Sequence, residues 1–453
     1  MNLEKLAHSI SPHASKWQIA VWVTLSAAMY VAITWFTPRE WFFQFLGLFI
    51  CLSAGYLWMI PKRQNPQLIL ILGIFFRLIV FFALPNLSDD FYRFIWDGRL
   101  LSHGVNPFAQ LPSEYMLNPD QALRLGLNTE LYQGLNSPNY FTIYPPVLQG
   151  VFYLSSVLFP KSVLEAVWLM KLFVFLAEIG SMVLIAKLLR HFNYKSHLLG
   201  VYAFNPLVII ELTGNLHFEA LMIFFLLWAV WLIVKKQWWW SVFPFALAVG
   251  SKLLPLIVLP LFLKRFGWQN TFLYGLIIIL LLALMFIPVF DLNTFIHLGE
   301  SIGLYFQKFE FNASIYYLIR WAGYQFTGYN IIYTSGKVLV LLTLVGIFVW
   351  AFREKEPDDK KLPTGIIWVF FIYFALASIV HPWYITILIA FCVFTPYRWP
   401  IVWTLVIPLS YYTYRTDAYT ENLWLVAVEY LIVGGWILYE LFVKKPFSIF
   451  GSK

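Results

Sequence analysis

The sequence predicts an all-α polytopic membrane protein, and three observations carry that prediction. Of its 453 residues, 60% are hydrophobic and 12% are charged, against a charged share of about 25% in soluble domains. The apolar residues fall in long uncharged runs, and roughly 17–25 such residues suffice to cross a bilayer core. Aromatic residues make up 20%, and Trp and Tyr favour the membrane–water boundary.

The first runs are Trp17–Phe36, Trp41–Ile60 and Gln67–Pro85, the last with Arg77 inside it. No short apolar core with a small-residue cleavage site opens the chain, so the first run is expected to be kept as a span. A polar and aromatic stretch then runs from Asn86 to Tyr144. Later runs cover Leu164–Leu188, Leu198–Leu212, Ala220–Val234, Leu273–Val289, Val338–Trp350, Gly365–Val380 and Leu423–Phe442. Between Trp238 and Leu263 the chain is apolar but broken at Gly250-Ser251-Lys252, which predicts two short helices. Two more are predicted over Pro382–Phe394 and Ile401–Tyr412. The total is about 12–14 spans.

Basic residues orient these spans, because Lys and Arg collect on the cytoplasmic side. Lys62-Arg63, Lys187/Arg190/Lys195, Lys235-Lys236, Lys264-Arg265, Arg353–Lys361 and Lys444-Lys445 all fall on one side if the N-terminus is cytoplasmic. That requires Pro145–Pro160 to lie at the outer surface or dip in without crossing. Both termini are then cytoplasmic. The outer side receives Asn86–Tyr144, Thr213–Ala220, Gly250–Lys252, Asp291–Gly328, His381–Tyr384 and Tyr411–Asn422. Charge is expected at span ends rather than at mid-bilayer.

The net charge of +8 is explained by cytoplasmic Lys and Arg, so no nucleic-acid partner is expected. The two cysteines, Cys51 and Cys392, lie in apolar runs and imply neither a disulfide framework nor a metal cluster. There is no internal repeat, Gly-rich phosphate loop or low-complexity tract. Residues 1–453 read as one integral membrane domain, with a first outer region at 86–160 and a second at 291–328.

The stretch "LSDDFYRFIWDGRLLSHGVNPF" (Leu87–Phe108) places two adjacent carboxylates where an apolar run stops. Ser88 is a good N-cap, and Gly104 and Pro107 are helix terminators. A short helix from Asp89 to His103 on the outer surface is therefore expected. Asp89, Arg93 and Asp97 would share one face of it. Two readings stand side by side. The aspartates start a helix and pair with Arg93, or one of them is a carboxylate held at the bilayer edge to accept a proton.

An Asp pair shortly after an early span resembles the GT-C superfamily of glycosyltransferases. "SDDFYRFIWDGRLLSHGVNPF" resembles the first outer loop of bacterial polyprenyl-phosphate-mannose-dependent mannosyltransferases. It is also similar to that of the enzyme adding the first mannose to the GPI anchor. "YPPVLQGVF" (Tyr144–Phe152) and "NPLVIIELTGNLHFEAL" (Asn205–Leu221) resemble motifs that follow in such chains, as do "SKLLPLIVLP" and "HPWY". The resemblance implies a GT-C-like bundle with a helical first outer loop. It also implies transfer of a sugar, mannose, and a base at Asp89 or Asp90, with Asp89 favoured. The implied place is a bacterial inner membrane with the site facing outward.

The chemistry fits these residues independently. A polyprenyl-phosphate sugar carries its own leaving group, so the reaction needs one base and cations to hold the departing phosphate. One acting carboxylate means inversion. Arg93 would keep the base ionised. No cofactor is expected, although the adjacent aspartates leave room for a divalent metal. The expected partners are a polyprenyl-phosphate sugar donor, a glycan or glycolipid acceptor and the lipid bilayer.

Further candidate substrate-binding residues are Arg93, Asp97, Arg99 and Tyr144 of the first region, and His217 with Glu219. Lys252, Glu310, His381 with Tyr384, and Arg415 complete the set. For each there is a structural alternative. His217 and Glu219 can hold a span end. Lys252 can reach the interface by its aliphatic stem. Trp383 and Tyr384 can belong to an aromatic belt. Glu310 and Asn312 can lie on a solvated loop. Arg77 is costly in an apolar span and is expected to pair with Glu178. Asn86-Leu-Ser88 and Asn312-Ala-Ser314 have the form of glycosylation sequons but adjoin the candidate site. A lipid-linked-sugar flippase or transporter would instead put polar residues at mid-bilayer and show repeated halves. A glycan polymerase or ligase would carry its main outer loop later in the chain.

Overall fold

The computed structural model describes residues 13–354, 356–416 and 418–443. The described residues form an all-α fold, with no strand beyond one isolated parallel bridge between Phe311 and Ile379. Six helices are long and apolar enough to cross a bilayer: Lys16–Phe36, Phe42–Met59, Val163–His191, Trp268–Val289, Ile332–Arg353 and Leu423–Phe442. Ser196–Ala203 with Pro206–Gly214 would make a seventh, bent by 51°. Shorter apolar helices complete the bundle at Pro66–Phe81, Pro146–Leu158, Glu219–Val234, Val242–Ser251 and Pro382–Cys392. The sequence expectation of about 12–14 spans thus divides into six long helices, one broken pair and several short pieces.

The break within Leu198–Leu212 corrects the expectation of a continuous span. Pro206 forces the residue before it out of the helical region. Asn205 is accordingly extended, and its side chain caps the next turn at Val208 N, 3.2 Å away. Residues Ile209–Gly214 then form a π-helical turn, a widening found most often at functional sites. Similarly, Ile401–Tyr412 divides into the helix Trp399–Val406 and the tighter 3₁₀ turn Ile407–Arg415. The region 291–328 is itself helical, over Leu292–Gln307 and Ile315–Thr327.

Charge also enters the spans, contrary to expectation. Lys171 and Glu178 lie within Val163–His191, Glu429 lies within Leu423–Phe442, and all three are fully buried. Lys171 and Glu178 are hydrogen-bonded by protein, and Glu429 accepts at Oε1 from Asn312 (3.1 Å) and Trp403 (2.8 Å). Arg77 does pair with Glu178 (Nη2–Oε1 2.7 Å), and it also donates to the carbonyls of Gly73 (3.0 Å) and Ala203 (2.9 Å). The Lys171 ammonium donates to three carbonyl oxygens, those of Val80 (3.2 Å), Ala83 (2.6 Å) and Gly214 (2.7 Å).

The first-region helix spans Asp90–Ser102 and is buried rather than lying on the surface. Asp89, not Ser88, holds its N-cap position but makes no side-chain capping bond, while the Ser88 hydroxyl accepts from the Asp90 amide (3.3 Å). Three short turns, Pro112–Tyr115, Pro119–Arg124 and Thr129–Gln133, wrap its outside and bring Tyr115 and Tyr132 against Trp96. On the other side it presses against Pro146–Leu158. A Cβ on Gly98 would stand 2.3 Å from the Phe152 carbonyl oxygen, so only glycine allows this approach. Phe94 stacks on Phe152 at 4.8 Å beside the crossing.

Three of the basic clusters meet at one end of the bundle. Lys236 pairs with Asp359 (2.7 Å), Arg265 with Glu354 (2.8 Å), and Lys264 donates to the Glu354 carbonyl (2.7 Å). Pro66–Phe81, Glu219–Val234 and Val242–Ser251 each have a basic cluster near one end; Asp90, Glu219 or Lys252 stands at or beyond the other. Lys355 and Lys444-Lys445 lie outside the described residues.

Candidate active site

Two chain segments meet where the short helices end. Asn86 donates its side-chain amide to the carbonyls of Ile33 (2.8 Å) and Thr37 (2.8 Å) at the end of the first span. Leu87 N donates to the Asn215 side-chain oxygen (3.3 Å). Lys171 ties Ala83 O to Gly214 O. The segment leading into the aspartates and the segment leading into His217 are therefore fixed to each other.

The aspartates are not equivalent. Asp89 is paired with Arg39, from the turn between the first two spans, and not with Arg93 as expected. Arg39 also donates to the Tyr419 hydroxyl (3.2 Å) and lies 6.0 Å from the ring centroids of Tyr414 and Tyr419. Asp90 accepts from the Asn136 amide (2.7 Å). Burial raises the Asp90 carboxyl above the usual carboxylate range, while His217, Asn136 and Lys252 draw it down and Glu219 pushes it up. Those neighbours place Asp90 in the same polar group as His217, Glu219 and Lys252.

Leu216 precedes His217 in the left-handed region (φ 59°), a costly conformation for a branched side chain that concentrates at functional sites. His217 Nδ1 lies 2.8 Å from the Glu211 carbonyl oxygen and 3.3 Å from Glu211 Oε2. Its ring stacks on Trp383 at 3.8 Å and 12°. His381 stacks on the same indole at 4.4 Å and 4°, so Trp383 is clamped between two imidazoles. Burial pushes His381 down to about 3, with Lys252 and His217 adding to it, so this ring is neutral near pH 7. Glu219 is paired with Lys252, whose ammonium sits 3.9 Å from the Tyr384 ring centroid, a cation–π contact. The helix Val242–Ser251 ends at Lys252, which turns extended (φ −159°) and carries the ammonium toward Glu219.

The structure thus brings together Asp89, Asp90, His217, Glu219, Lys252, His381 and Tyr384. The other candidates sit elsewhere. Asp97 is fully buried and accepts from Arg93 Nε (2.8 Å), the Thr142 hydroxyl (2.5 Å) and Gln149 Nε2 (3.1 Å). Arg93 donates onward to the Tyr140 carbonyl (2.9 Å), and Arg99 to the Gly126 carbonyl. These three staple the first loop onto its helix. Tyr144 packs edge-on against Phe94 at 5.0 Å. Glu310 is held by Arg320, the Tyr316 hydroxyl and Asn330. Only its neighbour Phe311 reaches the site, stacking on His381 at 4.6 Å. Arg415 lies 4.6 Å from the Tyr412 ring centroid and lines a groove of about 360 Å³ with Glu421 and Asn422.

Sequence reasoning missed Arg39, Asn136, Glu211 and the packing role of Trp383. Arg39 follows Pro38 in a turn between spans, a place that reads as ordinary flanking charge. Glu211 alone carried a signal, being an acid inside an apolar run.

A family model described as alpha-(1->6)-mannopyranosyltransferase, N-terminal domain, matches residues 6–266. That is more than half of the chain and includes Arg39, Asp89, Asp90, Glu211, His217, Glu219 and Lys252; His381 to Tyr384 lie beyond it. No curated protein matches the chain.

Proposed function

Because the chain belongs to the alpha-(1->6)-mannopyranosyltransferase family, we propose that it moves mannose from a polyprenyl-phosphate donor to a hydroxyl of a glycan or glycolipid acceptor, with inversion and with Asp90 as the base. One observation carries the assignment. Among the described residues Asp90 is the carboxylate of the pair without an ion pair, and it lies within electrostatic reach of His217, Glu219 and Lys252, whereas Arg39 engages Asp89.

In this reaction the acceptor hydroxyl gives its proton to the Asp90 carboxylate. Its oxygen bonds to the anomeric carbon as the bond from that carbon to phosphate oxygen breaks. The phosphate leaves with the electron pair, and Lys252 is a cation of the site group that can neutralise it. A raised carboxyl suits this work, since a base is most effective with a pKa near the operating pH. Attack from the opposite face turns a β-linked donor into an α-mannoside, in keeping with the family's description. A primary hydroxyl is the matching acceptor group.

The donor's chain would stay in lipid along the apolar helices while its phosphate reaches their polar ends. The site group lies at helix ends opposite the basic clusters, which supports an outward-facing site with cytoplasmic termini in a bacterial inner membrane. Transfer is expected without added divalent metal, because Lys252 can hold a lipid monophosphate.

The test is purified protein in lipid, given polyprenyl-phosphate mannose or GDP-mannose with EDTA present. A mannoside formed only from the lipid donor supports the reading. Transfer from GDP-mannose alone overturns it. Movement of lipid-linked sugar across vesicles with no glycosidic bond formed would favour a transporter.

A further inference from the structure

The geometry points to Glu211 as a positioning residue that locks His217 into one tautomer, so that His217 Nε2 accepts a hydrogen bond from a sugar hydroxyl. The inference rests on the mannosyl-transfer reading and assigns its polyol contact.

Both atoms facing Nδ1 are acceptors: the Glu211 carbonyl at 2.8 Å and Glu211 Oε2 at 3.3 Å. Nδ1 must therefore carry the hydrogen. In a neutral imidazole the other nitrogen then holds a lone pair. His217 Nε2 is buried and has no partner within the described residues. Such an orphaned acceptor is costly unless something fills it.

Everything around this ring fixes its direction. The backbone enters through left-handed Leu216, and His217 N is anchored on Leu212 O at 3.1 Å. The ring lies flat on Trp383. Glu211 is itself fully buried and held by the Tyr411 hydroxyl at 2.6 Å. Such outer partners commonly set which nitrogen of an imidazole is free.

The charges select the ligand. Around His217 stand Asp90 from the first-region helix, Glu211 from the π-turn, Glu219 from its own segment, Lys252 from the break after Val242–Ser251, and neutral His381. The one ammonium among them, Lys252, pairs with Glu219 and is the group's candidate phosphate contact. A lone-pair acceptor rejects a fully ionised phosphate and takes an O–H. The ligand at Nε2 is therefore an uncharged polyol, either the donor's mannose or the acceptor glycan.

Two measurements test this. In protein labelled with [15N]histidine, the His217 ring is expected as the Nδ1–H tautomer, held there more weakly in Glu211→Gln, which keeps the backbone acceptor and loses the carboxylate. An Nε2–H ring in the unaltered protein overturns the proposal, and this readout needs no catalysis. Next, singly deoxygenated donors and acceptors are compared in unaltered, His217→Asn and Glu211→Gln protein. One deoxy analogue is expected to lose roughly tenfold or more in kcat/KM with the unaltered protein, the worth of a good hydrogen bond. That penalty is expected to vanish in His217→Asn and shrink in Glu211→Gln. Whether the sensitive analogue belongs to the donor or the acceptor series names the sugar. If every deoxy penalty persists in both variants, the inference fails, although mannosyl transfer itself stands. If Glu211→Gln does not fold, Tyr411→Phe removes the Glu211 anchor and is read the same way.

Discussion

Arg39 holds Asp89 in an ion pair across 50 positions of sequence. The pairing divides labour between two adjacent, chemically identical side chains. Asp89 stands at the N-cap position of the helix and closes against the turn between the first two spans. Asp90, one residue on, faces the His217, Glu219 and Lys252 group. Removing Arg39 should therefore loosen that closure without removing the base. Arg39→Ala is expected to cost about 0–1 kcal/mol of stability, as for other partly exposed ion pairs, and to slow transfer less than Asp90→Asn does. Thermal unfolding and initial rates in detergent check this. Loss of transfer equal to that of Asp90→Asn in folded Arg39→Ala would give Arg39 a direct role.

The pH profile should carry the mark of Asp90. A base works only when ionised, and burial raises this carboxyl. Transfer should then fall on the acid side at a higher pH than an exposed carboxylate would dictate. The stability effect has the opposite sense. A carboxyl with a raised folded-state pKa favours the fold while protonated, and that contribution is lost as pH rises through the folded value. Asp90→Asn should thus unfold at a higher temperature than the unaltered protein near pH 7, with the gap closing at acid pH. An unchanged Tm difference across pH would mean that Asp90 does not ionise within the fold.

Lys171 should matter to stability and to rate at once. Its ammonium satisfies carbonyls on both segments that carry the site. Lys171→Met keeps the volume but leaves those carbonyls unsatisfied, at about 1–3 kcal/mol for a buried orphaned group. A lower Tm with a reduced kcat is expected. A lower Tm with kcat untouched would make Lys171 purely structural.

Gly98→Val should separate the first-region helix from Pro146–Leu158. Its Cβ has no room against Phe152 O and Ser156 Oγ, and backbone cannot move aside as a flexible side chain can. Overpacking of this kind costs about 1–3 kcal/mol. Protease nicking between residues 104 and 144, absent from the unaltered protein, would report the detached loop.

Much of the architecture was legible because the length of an apolar run is read along the chain without knowing any distant contact. The Arg77–Glu178 pair was legible because two opposite charges in apolar runs must find each other. The Asp pair, Lys252 and the "HPWY" segment each mark a boundary between apolar run and turn. What was not legible depends on partners distant in sequence. The charges of Asp90–Ser102 suggested a solvated helix, yet Arg93 and Arg99 are satisfied by loop carbonyls that no side-chain pattern encodes. Lys171 disappeared into an apolar run for the same reason, since its three carbonyl acceptors are backbone. Arg39 could be matched to Asp89 only once the first turn and the first loop were side by side.

The most direct measurement is transfer from polyprenyl-phosphate mannose by Asp89→Asn and Asp90→Asn, each checked for folding and for its level in the membrane. Asparagine keeps the size of aspartate and its ability to cap a helix, so it removes the charge and little else. Asp90→Asn is expected to lose about 10²–10⁴-fold in rate, the usual worth of a general base, with Asp89→Asn losing far less. The reverse ranking would make Asp89 the base, and near-normal transfer by both variants would leave the pair with helix starting alone.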